Sequence, residues 1–347
     1  MDKLKLLLWP FAALYGGITS IRNKAYDNRL LSSRKFNLPV IAVGNLTVGG
    51  TGKTPHVEYL LRLLHTYKVA TLSRGYKRTT KGFVLAAGNA TAATIGDEPY
   101  QYHTDFPEVS VSVCEQRVEG VEQLLKLNPP PEIIVLDDAM QHRAIQPSLN
   151  LLITDYNRLF YKDHMLPAGL LREPKSGAER ADAIIVSKCA ATMQASEMQI
   201  IIKQIQKYSR HDAPIFFTGL RYGQFVAIGT PKPLSKHVIL LTGIANAKPL
   251  KSYLKAHQFR IVKHLEYPDH YAYTTQDMQQ LQTVLKDEKE DAIILTTRKD
   301  AVKLMDGTLQ NYSRSLPIFY IPIEVYFLKD GDAFNNLILE HVHSFTR

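Results

Sequence analysis

Cysteine is scarce in this sequence. Its 347 residues include only Cys114 and Cys189, which lie 75 positions apart (189 − 114) and form no CxxC pair. A disulfide framework or a cysteine-based zinc site needs more cysteines at closer spacing, so neither is predicted. We therefore expect a reducing, cytoplasmic environment.

Long apolar runs are missing as well. The uncharged N-terminal run covers the 13 residues 6–18, whereas a helix needs about 20 residues to cross ~30 Å of hydrocarbon. The run is too short for a transmembrane helix, and the lack of a small-x-small cleavage site after it disfavours a secretory signal peptide. The sequence also has no arginine-rich tract, zinc-finger spacing or RNA-recognition signature, so we expect no nucleic acid partner.

The charge balance favours anionic partners. A formal net charge of +9 and a pI near 9.3 suit a protein that meets phosphates or an acidic membrane face. The composition, 45% hydrophobic and 22% charged, is ordinary for a folded globular protein. The length predicts two domains, or one large α/β domain with an appendage.

The N-terminal segment has the pattern of an amphipathic helix flanked by lysines and arginines. Such a helix can lie in the interface of an anionic bilayer, with Trp9 at headgroup level, or it can dock on the core of the protein, and both interpretations stay open. Pro10 and the pair Gly16-Gly17 argue against a long straight helix. The apolar side chains recur at intervals of three and four residues and are Leu4, Leu7, Leu8, Phe11, Leu14, Tyr15 and Ile18.

Short β-branched runs alternate with helical segments after residue 38. Apolar runs of this length predict buried parallel strands of a doubly wound sheet, hence an α/β fold. The predicted strands are residues 40–43, 69–72, 109–113, 133–136, 151–154 and 183–186. The predicted helices include residues 55–67, 98–103, 116–127 and 195–209.

A second strand system is predicted from about residue 213. Its strands are residues 215–217, 238–241, 292–295 and 318–321, and the glycine- and proline-rich stretch 219–233 marks a domain boundary. We predict an interfacial helix over residues 1–25, a core domain over 26–215 and a smaller α/β domain over 216–347. A last helix, over residues 332–343, is expected to pack back on the core.

The first predicted strand runs into a glycine-rich turn and a helix start, VIAVGNLTVGGTGKTP at residues 40–55. This order predicts a phosphate loop (P-loop), in which backbone N–H groups and the helix N-terminus hold phosphates. Lys53 would reach the β- and γ-phosphates of ATP, and the Thr54 hydroxyl would bind Mg²⁺. The common pattern GxxxxGK[ST] has glycine where Thr47 stands, but the strand-to-helix context supports the loop. The residues predicted to bind the nucleotide are Thr47, Val48, Gly49, Gly50, Thr51, Gly52, Lys53 and Thr54.

Two carboxylates follow a later apolar strand, in the segment EIIVLDD at residues 132–138. Asp137 and Asp138 are predicted to coordinate Mg²⁺ beside the P-loop, the alternative being a helix cap. ATP is favoured over GTP, because the segment SKCA at residues 187–190 has Ala190 where a guanine-reading carboxylate is needed.

A kinase also needs a group that deprotonates the acceptor hydroxyl. The candidates are Asp97, in the segment GDEP, and His270, in the segment YPDHY, which could share the proton in a hydrogen bond. The alternatives are a helix N-cap for Asp97 and a loop surface position for His270.

Eight segments together resemble the tetraacyldisaccharide 4'-kinase family of Gram-negative bacteria. They run in family order across nearly the whole chain, and the family shares a threonine or serine at the position of Thr47. One departure is Ala139-Met140, where the family usually has Gly-Phe, which puts the backbone role of that glycine in doubt. The segments are VGNLTVGGTGKTP (43–55), LSRGYKR (72–78), GDEP (96–99), LDDAMQHR (136–143), LPAGLLREP (166–174), TGIAN (242–246), YPDHYAY (267–273) and TTRKDAVKL (296–304).

The resemblance implies a reaction, a fold and a location. The reaction is transfer of the γ-phosphoryl group of ATP, with Mg²⁺, to the 4'-hydroxyl of a tetraacylated disaccharide 1-phosphate, which gives lipid IV-A. The implied fold is a P-loop α/β/α core with a mostly parallel sheet, joined to a smaller C-terminal α/β domain by a β-ribbon hinge. The implied location is peripheral, on the anionic cytoplasmic face of the inner membrane, with no obligate protein partner.

The resemblance also implies roles for single residues. Asp97, supported by His270, is the implied base, Lys53 acts on the phosphates, and Asp137 and Asp138 lie at the metal. The residues implied to face the substrate or the site are Arg74, Tyr76, Glu98, Arg117, Arg172 and Glu173. Two rival functions stay open at this point: a nucleotide-driven switch without kinase activity, and a membrane-binding module with an inactive loop.

Overall fold

The computed structural model describes residues 3–288 and 291–345, with side chains described from residue 7 onward. Within these residues, nine strands form a core sheet and five form a second, smaller sheet. The predicted side-chain position of Leu4 lies outside the described side chains.

The core sheet is parallel except at its edges. Its order is β14-β8-β7-β6-β1-β5-β2-β4-β3, and only the outer pairs β14–β8 and β4–β3 are antiparallel. The central strands are buried along their whole length, as their continuous apolar runs predict. The first eight strands are β1 (Val40–Gly44), β2 (Val69–Ser73), β3 (Val84–Leu85), β4 (Ser110–Val113), β5 (Ile133–Asp137), β6 (Leu149–Asp155), β7 (Ala183–Ser187) and β8 (Ile215–Tyr222).

The second sheet has the order β11-β10-β12-β13-β9, and only the β13–β9 pair is antiparallel. The remaining strands are β9 (Val226–Ala227), β10 (His237–Thr242), β11 (Arg260–Glu266), β12 (Ala292–Thr297), β13 (Ile318–Ile321) and β14 (Ile323–Phe327).

One predicted strand was assigned to the wrong sheet. Residues 215–217 were expected to open the second strand system, but they begin β8, which pairs with β7 in the core sheet. Phe216 and Phe217 are buried in two different apolar clusters of the core, one on each face of the sheet. The apolar run predicts a buried strand correctly, but composition alone does not specify which sheet edge the strand joins.

Helices cover both faces of the core sheet and give it three layers. Adjacent β1 residues alternate between the layers, because Ile41 packs with helices α2, α4 and α11 and Ala42 packs with α5 on the other face. The helices are α1 (Lys3–Asp27), α2 (Lys53–Leu63), α3 (Ala92–Ile95), α4 (Asp97–Asp105), α5 (Arg117–Leu124), α6 (Ala195–Ile205), α7 (Lys248–Ala256), α8 (Thr275–Asp287), α9 (Arg298–Leu304), α10 (Leu309–Ser315) and α11 (Gly331–His343).

The chain passes between the two sheets along a two-stranded ribbon. β8 leads out of the core sheet and β14 leads back into it, and the two pair antiparallel from Ile323 opposite Tyr222 to Phe327 opposite Thr218. After β14, helix α11 packs Phe334 and Ile338 into the same apolar cluster as Ile41. The division at residue 216 stays a prediction, and by sheet membership β8, β14 and α11 group with the core.

Helix α1 presents one apolar face to the surface and docks with another. It continues through Pro10 and the glycine pair for 25 residues. Ala12 is buried and Gly16 faces Met165, whereas one line of side chains is 58–74% exposed. We call this line the apolar stripe: it consists of Leu7, Phe11, Leu14, Ile18 and Ile21.

The apolar stripe corresponds only in part to the predicted face. Leu8 and Tyr15 were expected on it but are half-buried, because the docked side of the helix turns them toward the protein. Among the described residues, no helix combines the length and the apolar character needed to cross a membrane.

Candidate active site

The predicted P-loop connects the end of β1 to the start of α2. Gly49 and Gly52 have φ values of 102° and 90°, a left-handed backbone that favours glycine, and Gly52 precedes the first residue of α2. Thr47 does not need glycine's freedom: it is buried and pairs with Leu171, and the next residue, Val48, donates its N–H to Leu170 O at 2.8 Å. The loop therefore presents backbone N–H groups at the positive end of a helix.

Lys53 is held between two oxygen atoms at the loop. Its Nζ lies 3.3 Å from Asn45 Oδ1 and 3.4 Å from Asp138 Oδ1. Asn45 is fully buried, and its Nδ2 donates to Thr51 Oγ1 at 3.1 Å. These contacts hold the ammonium group between Asn45 and Asp138.

Side chains from two later strands support the loop backbone from below. Ser187 Oγ donates to Thr51 O at 2.6 Å, and Lys188 Nζ donates to Gly50 O and to Asp155 Oδ2, the latter at 2.7 Å. His56 bridges Gly52 O at 2.7 Å and Thr218 Oγ1 at 3.0 Å. Burial lowers the pKa of His56 to about 4, so this bridge is neutral at pH 7.

Asp137 ends β5 as a buried carboxylate with one free oxygen. Tyr102 Oη donates to Oδ2 at 3.1 Å, while Oδ1 is buried and has no hydrogen-bond partner in the described part of the chain. Burial raises the pKa of Asp137 to about 6. A buried carboxylate oxygen without a partner is costly unless a cation compensates it.

Asp138 lies next to it in a different environment. Its φ of 51° is in the left-handed region, and Arg172 donates to both carboxylate oxygens, at 2.9 Å and 2.7 Å. Burial opposes ionisation, but Lys53 and Arg172 outweigh it and hold the pKa of Asp138 well below its usual range. The left-handed residue is Asp138 and not Ala139, and Ala139 and Met140 are both buried in the core. The local turn thus does not depend on a glycine at position 139.

Arg172 and Glu173 belong to a network that helix α1 joins. Glu173 is buried and accepts hydrogen bonds from Arg180 and Gln141, both at 2.6 Å, and from Asn23 of α1 at 3.2 Å. Tyr15, also of α1, donates to Arg172 O at 3.0 Å. The docked side of α1 therefore contacts the segment that holds Asp138.

Asp97 and His270 are brought together from the two sheets. Asp97 begins α4 of the core, His270 lies in the loop after β11 with a φ of 61°, and His270 Nδ1 is 2.9 Å from Asp97 Oδ2. Burial alone would raise the pKa of Asp97, but the hydrogen bond with His270 and the charges of Lys303 and Lys299 lower it. The N-cap of α4 is Gly96, so the alternative of an N-cap role for Asp97 is wrong.

The residues predicted to face the substrate lie in two places. Arg74 and Tyr76 are exposed, and the Tyr76 ring centroid is 5.2 Å from that of His270. Arg117 is buried, and its guanidinium donates to Cys114 O and, at 3.5 Å, to Asp137 O. Burial lowers the pKa of Arg117 to about 10. Arg117 therefore stabilises the end of β5 from the protein interior.

A cavity of about 410 Å³, within the usual range for small-ligand sites, lies between the start of α2 and the second sheet. Thr54 and Glu98 line it from the core, and Lys299 and Tyr320 line it from the other side. Beside it, Arg298 Nε donates to Asp105 Oδ2 at 2.9 Å and bridges the two units. Glu98 Oε1 is 3.8 Å from Lys299 Nζ.

Comparison with known proteins decides the family. The model of the family described as tetraacyldisaccharide-1-P 4'-kinase matches residues 4–343. The chain belongs to this 4'-kinase family. A tetraacyldisaccharide 4'-kinase of Flavobacterium johnsoniae is 43% identical over 99% of this chain and 98% of the relative, and one of Bacteroides thetaiotaomicron is 41% identical over 99% and 95%.

A solved structure agrees in fold over the full length. A crystal structure of LpxK from Aquifex aeolicus in complex with ATP has a TM-score of 0.75 and 30% identity, and covers 98% of this chain and 99% of that one. The resemblance, the α/β fold with a mostly parallel sheet and the kinase activity predicted from the sequence are confirmed. The roles of the single residues stay predictions.

Several residues of the 4'-kinase site escape sequence reasoning. Asn45 and Gln141 lie inside the family motifs, but their side chains serve other side chains, which spacing does not reveal. In the sequence, Lys188 was considered only because the segment SKCA at residues 187–190 was compared with the motif that recognises guanine. The signal for its role is its position directly after β7, the point at which parallel strands deliver side chains to the ligand edge of a sheet.

We predict that Lys188→Met weakens nucleotide binding by the 4'-kinase more than it slows turnover. The change removes the ammonium group that binds Gly50 O, and a hydrogen bond from a charged group is worth about 1.5–3 kcal/mol, so Kd for ATP should rise roughly tenfold or more. Titration calorimetry with ATP measures this. Lys207→Met, at an exposed lysine, is the control and should bind as the wild type does. Equal affinity of the two variants would show that the loop holds its shape without Lys188.

Proposed function

We propose that this chain binds ATP and Mg²⁺ at residues 47–54 and transfers the γ-phosphoryl group to the 4'-hydroxyl of tetraacyldisaccharide 1-phosphate, with Asp97 as the base. The product is lipid IV-A, an intermediate of lipid A. The observation that carries the residue assignment is the hydrogen bond of Asp97 to His270, next to Glu98, which lines a cavity together with Thr54.

The assignment of ATP rests on the P-loop and on the absence of a guanine-reading carboxylate at position 190. The loop's backbone N–H groups, apart from those of Val48 and Thr51, which donate to Leu170 O and Gly49 O, would surround the β- and γ-phosphates, and Lys53 would add a positive charge. Ala190 offers no carboxylate to read guanine. The relative from Aquifex aeolicus was crystallised with ATP, which supports adenine as the base.

The residues present fit a magnesium ion. The buried Oδ1 of Asp137 has no partner among the described residues, and a divalent cation there would offset the burial that raises the pKa of this group. The described side chains contain no cluster of three or more histidine, cysteine, aspartate or glutamate residues that could hold a metal by themselves. Mg²⁺ commonly binds through one or two carboxylates plus phosphate oxygens and waters, so Asp137 and Thr54 suffice, with Asp138 beside them.

The chemistry follows from position and charge. Asp97 accepts the proton of the 4'-hydroxyl as the hydroxyl oxygen forms a bond to the γ-phosphorus, and the bond to the β-phosphate oxygen breaks to release ADP. Mg²⁺, when bound, neutralises charge on the β- and γ-phosphate oxygens. Lys53 stabilises the transferring oxygens, and Arg172 keeps Asp138 ionised beside Lys53.

The acceptor disaccharide occupies the open side of the site. Arg74 and Tyr76 are exposed, Tyr76 lies next to His270, and Glu98 lies on the cavity wall, so these three contact the sugar or its 1-phosphate. Arg117 and Glu173 are buried and act through Asp137 and through Gln141 and Arg180.

The chain docks on the cytoplasmic face of the inner membrane as a peripheral protein. The apolar stripe of α1 supports this, because insertion of a row of exposed apolar side chains at the boundary of headgroups and acyl chains is favourable. The formal charge of +9 adds attraction to anionic lipids.

Asp97→Asn should lower kcat by about 10²- to 10⁴-fold, the usual contribution of a positioned base. Kd for ATP should stay unchanged, because the dyad lies outside the P-loop. The assay is phosphorylation of the disaccharide 1-phosphate in detergent with ATP and Mg²⁺. Asp287→Asn, at an exposed position near the end of α8, is the matched control. Full turnover in Asp97→Asn would remove Asp97 from the base role.

Asp137→Asn should raise the Mg²⁺ concentration needed for half-maximal activity by roughly tenfold or more, since it removes the anionic ligand from a buried site. The measurement is the initial rate against Mg²⁺ concentration at saturating ATP. Asp212→Asn, whose side chain is 76% exposed, should leave the curve in place. An unshifted curve for Asp137→Asn would assign the metal to other residues.

Replacing Leu14 and Ile18 of the apolar stripe by glutamine should weaken binding to vesicles of phosphatidylglycerol at least tenfold. Burial of one such side chain contributes about 1.5–3 kcal/mol, and these two are 65% and 58% exposed in the protein. Cosedimentation measures the partition. Ile200→Gln, at a position 62% exposed on α6, is the control. Equal vesicle binding by both variants would leave α1 with a docking role only.

A further inference from the structure

Lys299 lies against the Asp97–His270 pair and has no role in the proposal so far. It is the second residue of α9, and its side chain is 23% exposed. Its Nζ is 3.1 Å from His270 Nε2, 2.9 Å from Asp269 Oδ1 and 3.8 Å from Glu98 Oε1. The ammonium group therefore closes the side of the imidazole ring that faces away from Asp97.

The chemistry of the ammonium group fixes the hydrogens of His270. An ammonium group has three N–H donors and no acceptor, so His270 Nε2 must accept its hydrogen bond and carry no hydrogen. The remaining hydrogen of a neutral imidazole then lies on Nδ1, which donates to Asp97 Oδ2 at 2.9 Å. An imidazolium would place an Nε2–H group against the ammonium group, which is unfavourable.

The other charges around His270 do not change this assignment. On its own loop, Asp269 Oδ2 is 3.8 Å from Nε2, and the other oxygen of this carboxylate, Oδ1, is paired with Lys299. On α9, Lys303 Nζ is 3.8 Å from Asp97 and 3.1 Å from Asp300. On the loop after β2, Tyr76 packs its ring edgewise against the imidazole.

We infer that Lys299 is a positioning residue of the phosphoryl transfer: it holds His270 neutral with the hydrogen on Nδ1, which orients the Asp97 carboxylate to accept the acceptor's proton. The inference rests on the proposed role of Asp97 as the base. On this inference the role of His270 is to donate one hydrogen bond to Asp97 while it carries no charge of its own. A protonated His270 would instead make Asp97 a weaker base.

Nitrogen NMR of the wild-type protein with ¹⁵N-labelled histidine tests the assignment directly. At pH 7 the His270 signals, identified by their loss in His270→Gln, should show a protonated Nδ1 and an unprotonated Nε2. A hydrogen on Nε2, in either the neutral or the charged ring, would overturn the inference. This reading needs neither lipid substrate nor turnover, so it is independent of the base assignment.

The Lys299→Met variant tests the effect on catalysis. Removing a cation 3.1 Å from Nε2 makes a positive charge on the His270 ring more favourable. kcat should therefore fall about tenfold more at pH 6 than at pH 8.5, which moves the acid limb of the kcat–pH profile to higher pH. KM for ATP should change little by comparison.

Three further variants separate the outcomes. Lys299→Arg keeps the charge and the donors and should restore the acid limb toward its wild-type position, while Lys286→Met, at an exposed lysine on α8, should not move it. A kcat loss in Lys299→Met that is the same at every pH would overturn the positioning role in favour of a structural one. Full activity in Asp97→Asn would sink the base proposal while leaving the NMR result for Lys299 intact.

Discussion

The ion cluster of Lys53, Asp138 and Arg172 is the interaction on which the site depends. The P-loop needs a lysine aimed into a phosphate pocket, and a buried ammonium group without an anion is unfavourable. Asp138 supplies that anion. Its backbone is in the left-handed region, and the guanidinium group of Arg172 holds its carboxylate in place. The same guanidinium group fixes the segment that carries Glu173 and contacts α1. Nucleotide site and surface helix thus share one set of contacts.

The proposed catalytic pair, Asp97 and His270, depends on the core sheet and the second sheet, whose surrounding elements meet at one edge. Parallel strands of the core deliver Asp137, Asp138 and Lys188 to the same end of the sheet, next to the P-loop. The second sheet contributes His270 and Lys299, and the Arg298–Asp105 ion pair crosses between the units. Because Asp97 belongs to the core and His270 to the part of the chain around the second sheet, the proposed base is complete only when these two parts are in contact.

The sequence predicts those features that depend on local spacing. The P-loop, the strand before Asp137 and the apolar core strands follow from pattern, since backbone phosphate binding and burial both need fixed local residue types. The assignment of residues 215–217 to the second sheet was wrong, because sheet membership is decided by long-range pairing. The short or half-buried strands β3, β9 and β11 carry no continuous apolar run and were not predicted.

Residue roles follow the same division. Asp97 and His270 were predicted as a pair from the motifs that contain them, and they lie 2.9 Å apart. The burial of Arg117 and the support of Gly50 by Lys188 were not predictable, because each depends on which backbone carbonyl the fold places beside the side chain. A sequence motif indicates that a positively charged side chain is needed, but it does not show whether that side chain is buried or exposed.

The paired strands β8 and β14 restrict how the second sheet can move. A single flexible tether would permit rotation about any axis, but two strands cross-linked by hydrogen bonds resist shear within their own plane and yield more readily to bending and twisting out of it. Rotation of His270 and Lys299 relative to Asp97 therefore has few degrees of freedom. Any motion between the two sheets would therefore bring the pair back along nearly the same arc and reproduce its alignment.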